Sequence, residues 1–308
     1  MFGKKRPLLF ILLSLLFIIS GCSRYVKGLT IQYQHANWNF DGTIICSKHF
    51  ERYDGFETPH IGDMSGSDYK ENDSSSGFSV VKFNKDGSNE TKLFDTTEWI
   101  SVVYAPSANR IAINEDITNL NKEIITNNDS DLFTFLDWSP DGNKVLYKKN
   151  TTPTNNELII YNLINDTSHT ITTNIRAAAW RFGTELIYIN DTTANVYAYN
   201  ELTDNTRSLN YALNIFNDAE LIKDPTDSNI FYYLQIDYRH TKLYKVELKN
   251  TGPIETLLRE GNCWHYNISY DGKTFLFLQE DEFYNNFYTM NIDGSKATKI
   301  ISEIHYSN

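Results

Sequence analysis

Seven histidines and three cysteines carry most of the nucleophilic, acid–base and metal-ligating capacity of this 308-residue chain. The histidines are scattered over positions 35, 49, 60, 169, 240, 265 and 305, and no H-E-x-x-H pair of zinc ligands occurs. A nucleophile elbow needs G-x-S-x-G; the nearest string, Gly62-Asp63-Met64-Ser65-Gly66, brings its serine one place late. Neither G-x-G-x-x-G nor a Walker A loop is present, so no cofactor is expected. Any chemistry would have to be assembled from residues far apart in the chain.

The first cysteine has a different role. Lys4, Lys5 and Arg6 precede an apolar run from Leu8 to Ile19, which ends in Ser20-Gly21-Cys22. A cationic start, a 12-residue apolar core and small residues before a break make a secretory signal, too short to span a bilayer. The string Ile19-Ser20-Gly21-Cys22 resembles the bacterial lipoprotein lipobox. The resemblance implies cleavage after residue 21, a diacylglyceryl group on Cys22 and a mature chain anchored to a bacterial membrane outside the cytoplasm. We expect a cleaved signal helix at 1–21, a lipidated tether at 22–29 and one folded domain over 30–308. Beyond residue 21 there are 25 basic against 39 acidic side chains, a balance that repels phosphate backbones and argues against nucleic-acid binding.

The elements that must position the remaining residues are legible as repeats. Phe83-Asn84-Lys85-Asp86-Gly87-Ser88 and Met290-Asn291-Ile292-Asp293-Gly294-Ser295 match at an offset of 207 residues, five periods of about 41. Each is a strand, an Asp-Gly reversal and a second strand. A second motif, Trp138-Ser139-Pro140-Asp141-Gly142, recurs at Trp38-Asn39-Phe40-Asp41-Gly42 and Ile268-Ser269-Tyr270-Asp271-Gly272. Degenerate copies begin at Tyr104, Trp180 and Ile222. Six copies follow, spaced by 66, 34, 42, 42 and 46 residues, each with room for four short strands. The long first spacing is assigned to an insert loop at 50–77, rich in Ser, Gly, Asp and Glu. The short second copy is expected to have lost or shortened its outer strand. A four-stranded blade cannot bury both faces alone, and a ring of six buries them all.

The Trp138–Gly142 string and the Asn291–Gly294 hairpin resemble the WD40-like (PD40-type) repeat of TolB and of the dipeptidyl-peptidase propellers. The resemblance implies an all-β, TolB-like six-bladed β-propeller of four-stranded antiparallel blades. It leaves no room for a separate N-terminal α/β domain or a peptidase domain, and TolB itself is not lipid-anchored.

In a closed ring the first and last blades touch. His35 and His265, each three residues before a repeat anchor, would then approach one another at the central channel, with Asp137 as a neighbouring carboxylate. These three are read as channel-lining binding residues, with no metal site assigned. Cys46 and Cys263 also belong to the first and last blades and are candidates for a disulfide that staples the ring. The functional expectation is a monomeric, non-catalytic binding or scaffolding module for a protein, peptide or glycan at the cell envelope. The alternative is a polysaccharide lyase or hydrolase acting in the channel.

Overall fold

The computed structural model describes residues 24–59, 67–106, 110–114, 116–119, 124–126, 133–152, 155–213, 218–238, 240–280 and 285–307. The signal segment and Cys22 lie outside them. The described residues form 25 strands in six sheets, and strand order runs outward from the axis in sequence order. Blade one is β1 (Arg24–Trp38), β2 (Ile44–Pro59), β3 (Ser67–Phe83) and β4 (Thr91–Thr96). Blade two is the small one: β5 (Val102–Tyr104), β6 (Arg110–Ile113), β7 (Asp116–Asn119) and a three-residue β8 (Ile124–Thr126). Blade three is β9 (Phe133–Trp138), β10 (Lys144–Thr152), β11 (Asn155–Asn162) and β12 (Thr167–Thr173). Blade four is β13 (Ile175–Phe182), β14 (Glu185–Asn190), β15 (Asn195–Asn200) and β16 (Asn205–Ala212). Blade five is β17 (Asp218–Lys223), β18 (Ile230–Asp237), β19 (His240–Lys249) and β20 (Gly252–Gly261). Blade six is β21 (Cys263–Ile268), β22 (Thr274–Glu280), β23 (Asn285–Asn291) and β24 (Thr298–Ser302). A last strand, β25 (Ile304–Ser307), pairs with β1.

The repeated Asp-Gly strings are turns with one shared wiring. At 139–144 the Gly142 amide donates to the Ser139 carbonyl, and the Asn143 amide and the Ser139 hydroxyl both donate to Asp141. At 269–274 the same three bonds form around Asp271. The matched hairpins at 84–88 and 291–295 share these bonds: the Asn84 and Asn291 side-chain amides donate to Ser88 Oγ and Ser295 Oγ, and the Ser88 and Ser295 backbone amides donate to Asp86 and Asp293. Hydrogen bonds from Ser88, Ser269 and Ser295 hold the carboxyls of Asp86, Asp271 and Asp293 below the usual carboxylate range. Local chemistry therefore sets each reversal before any blade meets its neighbour.

What joins the blades is apolar. The buried side chains fall into six clusters, one at each seam of the ring. Ile45 and Val80 meet Val102 and Ile111; Ala112 and Ile117 meet Trp138 and Tyr147; Leu146 and Leu158 meet Trp180 and Tyr188. Ile187 and Val196 meet Phe231 and Tyr233; Tyr232 and Leu243 meet Phe275 and Phe277; Leu276 and Phe287 meet Trp38 and Val81. Each large side chain so buried contributes about 2 kcal/mol, so no blade is stable without both neighbours. Trp138 is 1% exposed and donates its indole N–H to the Val103 carbonyl of the preceding blade at 3.1 Å. The motif tryptophan is thus a seam residue.

Three features set blade one apart, the last two against expectation. First, a strand crosses the closing seam: the chain leaves β24 of blade six and enters the sheet of blade one as β25, with Ile304 opposite Ile31 and Ser307 opposite Gly28. Second, the segment 50–77 is largely strand. β2 and β3 stay paired from Ile44↔Phe83 out to Pro59↔Ser67, far beyond the body of the propeller. Third, the expected tether at 22–29 is already sheet from Arg24, which pairs with Glu57. Ser74, Ser75 and Ser76 are exposed, so no apolar alternation marks this ladder in the sequence. Two of its glycines are covered by cross-strand rings: a Cβ on Gly28 would fall 2.0 Å from the Tyr53 ring, and one on Gly77 2.8 Å from Phe50.

Candidate functional site

The first strand of each blade lines the axis, and all six run in the same direction through it. A cavity of about 480 Å³ opens among them, walled chiefly by β9, β13 and β17. Its room comes from Ala177, Ala178 and Ala179 on β13, where bulkier residues would fill the axis.

The end at which the inner strands finish is bridged. Lys223 reaches from blade five to both oxygens of Asp137 in blade three at 2.9 Å, and to the Trp138 carbonyl at 3.0 Å. Tyr270 of blade six donates its hydroxyl to the Tyr104 carbonyl of blade two at 3.2 Å. At the other end the wall carries exposed Thr134 and Asp218, with Lys148, Asn150 and Arg176 alongside. Arg176 is held by Asp191, its Nε on the carboxylate at 2.9 Å and Nη2 on the carbonyl at 3.1 Å. Between the two ends Glu220 faces the cavity. Burial, reinforced by the charge of Asp218, pushes its carboxyl up to about 7. The residue is only half-buried, but the protein around it favours the neutral form.

Asp137 lines this cavity, as the sequence suggests, but as a tie rather than a free carboxylate. Besides Lys223 it accepts the amides of Trp138 at 2.8 Å and Trp180 at 3.0 Å, joining blades three, four and five. His35 and His265 do come together across the closing seam, ring centroids 6.0 Å apart. Both sit at matching bulges, with φ of 53° and 52°, where β1 and β21 slip register against their partners. Desolvation by the surrounding protein lowers both imidazole pKa values, although His265 is still exposed to solvent, and for His35 the facing His265 lowers it further. Neither ring is among the residues that line the cavity. Beside them Asn267 donates to Asn37 at 2.8 Å, and Asn37 to the Val102 carbonyl at 3.0 Å, an amide relay through blades six, one and two.

Cys46 and Cys263 are buried free thiols in different clusters, the blade one–six seam and the blade five–six seam, so the stapling disulfide is not formed. Burial pushes the Cys46 thiol well up. Among the described residues no group of three or more His, Cys, Asp or Glu side chains is placed to hold a metal ion. Glu220, Lys223, Lys148 and Arg176 were not singled out from the sequence. Glu220 and Lys223 flank the weakest repeat anchor, Ile222, and a period-2 reading of that strand would have pointed Asp218 and Glu220 the same way.

No protein-family model matches this chain, and no curated protein does. Solved structures do. TolB from Acinetobacter baumannii superposes with a TM-score of 0.57 at 16% identity, over 90% of this chain and 80% of that one. This chain has the fold of the TolB-like propeller. A chain of the nidogen/laminin complex aligns with a TM-score of 0.51 at 11% identity, over 89% of this chain and 92% of that one. At such identities the likeness is one of fold, and it agrees with the six blades and their four-stranded sheets.

Proposed function

We propose that this chain is a lipid-anchored, extracytoplasmic binding module that takes up a protein, peptide or glycan segment at the channel mouth without transforming it. The observation that carries the reading is the cavity itself. It is a recess of about 480 Å³, bridged at one end by Lys223–Asp137 and Tyr270–Tyr104, with both charge signs and hydrogen-bonding groups at the other. Lys148, Asn150, Thr134 and Asp218 offer donors and acceptors to a polar chain, and Phe135 and the alanines offer apolar contact. The likeness of fold to TolB and to a chain of the nidogen/laminin complex supports a binding role in general terms. Anchoring rests on Ile19-Ser20-Gly21-Cys22 and the cationic, apolar segment before it.

An enzyme acting in the channel would need His35, His265 and Asp137 to act together. Asp137 is occupied by Lys223 and two backbone amides, so it is not free to serve as acid, base or ligand beside the imidazoles. The test is capture of interacting envelope proteins and glycans by the full chain, repeated with Lys148→Ala and Glu220→Gln. Loss of a partner with either variant supports the channel mouth. Unchanged capture by both, or turnover of a polysaccharide abolished by His265→Ala, refutes the reading.

A further inference from the structure

Blade one is longer than blade six, its neighbour across the closing seam, by nine or ten residues in each of its first three strands. Inner strands β9, β17 and β21 have six residues each; β1 has 15, so nine, Arg24–Gln32, extend past the propeller body. Against seven-residue β22 and β23, β2 and β3 overrun by nine and ten residues at the same end. The three overruns are hydrogen-bonded to one another over their whole length, with bulges only at Gln34–Asn37 and Asp54–Gly55. β25 braces the ladder along Gly28–Ile31. At about 3.3 Å per residue, nine residues make a projection of about 30 Å. It leaves the propeller from the face where the inner strands begin, the face with the exposed Thr134 and Asp218 of the channel mouth.

Cys22 precedes Arg24 by two residues in the sequence, a reach of about 7 Å at most. With the lipid on Cys22, no slack chain separates bilayer from sheet. We infer that the extension of blade one is a stalk that holds the channel mouth toward the membrane, about 30 Å above it, and turns the opposite face outward. This rests on the lipid anchor of the proposed function. Charge favours a stalk that stands: positions 24–32 and 51–76 together carry seven acids against Arg24, Lys27, Arg52 and Lys70, so the net negative ladder is repelled by anionic headgroups rather than lying along them. The outward face is made of the turns after the first and third strands of each blade. There the large apolar residues Phe40, Ile164, Phe182 and Leu202 are 56–81% exposed. A ligand of the channel would then enter through the gap between propeller and bilayer.

The experiment uses the full-length protein purified from membranes and reconstituted in vesicles containing headgroup-labelled acceptor lipid. A donor dye is placed on Tyr238→Cys, in the turn after a second strand on the membrane-facing side, or on Leu202→Cys, in the turn after a third strand. Cys46 and Cys263 are buried and do not compete for the dye. Energy transfer from position 238 should exceed that from 202 by about threefold, given the length of a blade. A flexible insert of about 30 Gly/Ser residues between Ser23 and Arg24 should bring the two together. Equal transfer without the insert, or a difference that survives it, overturns the stalk. The mass of the mature N-terminus is read on the same sample. An unacylated Cys22 brings down the anchor and the stalk together, whereas an acylated protein with equal transfer brings down the stalk alone.

Discussion

A methyl group built on Gly87 would lie 2.1 Å from the carbonyl oxygen of Ile300, so the third-to-fourth-strand turn of blade one rests directly on the outer strand of blade six. The equivalent turn of blade six does the same one seam earlier, Gly294 lying over the Leu258 carbonyl at 2.8 Å by the same measure. The repeat thus encodes a turn that docks on its predecessor, and around a closed ring the first blade's predecessor is the last.

Gly87→Ala should therefore destabilise more than the φ of +80° alone would require. Gly42 has the same φ with nothing near it, and Gly42→Ala should cost about 1 kcal/mol. Gly87→Ala should cost that plus displacement of the seam, about 3 kcal/mol in all. Parallel denaturant melts decide the point; equal losses would mean that the turn does not bear on blade six.

Asp137→Ala should leave Lys223 unpaired in the channel and two amides, those of Trp138 and Trp180, without an acceptor. With both partners about one-fifth exposed, a loss of about 2–3 kcal/mol is expected, below that of a fully buried pair. Lys223→Met should lose less, since the carboxylate keeps its amide donors. If the lysine variant proved the worse of the two, Asp137 would not be the tie between blades.

Glu220 predicts a pH window. Its folded pKa of about 7 lies above the unfolded value near 4.5, so the folded state favours the protonated carboxyl. Stability falls as pH rises from about 4.5 through 7 and is lowest above that range. Glu220→Gln should be nearly neutral at pH 4 and stabilise by about 1–2 kcal/mol at pH 8, less than the full shift implies because the residue is only half-buried. Thermal melts across that range, with a gain at pH 4 as the contrary result, test it.

The imidazole pair predicts the opposite slope. Both folded pKa values are below 6.5, so the unfolded chain binds more protons and stability rises with pH until it levels off above about 6.5. Replacing His265 with Gln should flatten that rise without touching the Glu220 slope. A rise of unchanged steepness would show that the closing seam is indifferent to the charge of these rings.

The sequence alone determined the repeat count, the turn chemistry and hence the propeller, because Asp-Gly reversals and the strands beside them are local and nearly identical between copies. It also located the His35–His265 encounter, since ring closure makes first and last neighbours. The extended strand ladder of blade one escaped it for a physical reason. Successive residues Ser74, Ser75 and Ser76 are all exposed, so no apolar alternation marks this ladder, and its Ser, Asp and Glu read as loop. Only tertiary structure decided that Asp137 is spent on Lys223, that Glu220 faces the cavity, and that β25 crosses the seam. Those outcomes depend on which side chains of different blades meet across the axis, and no local spacing records that.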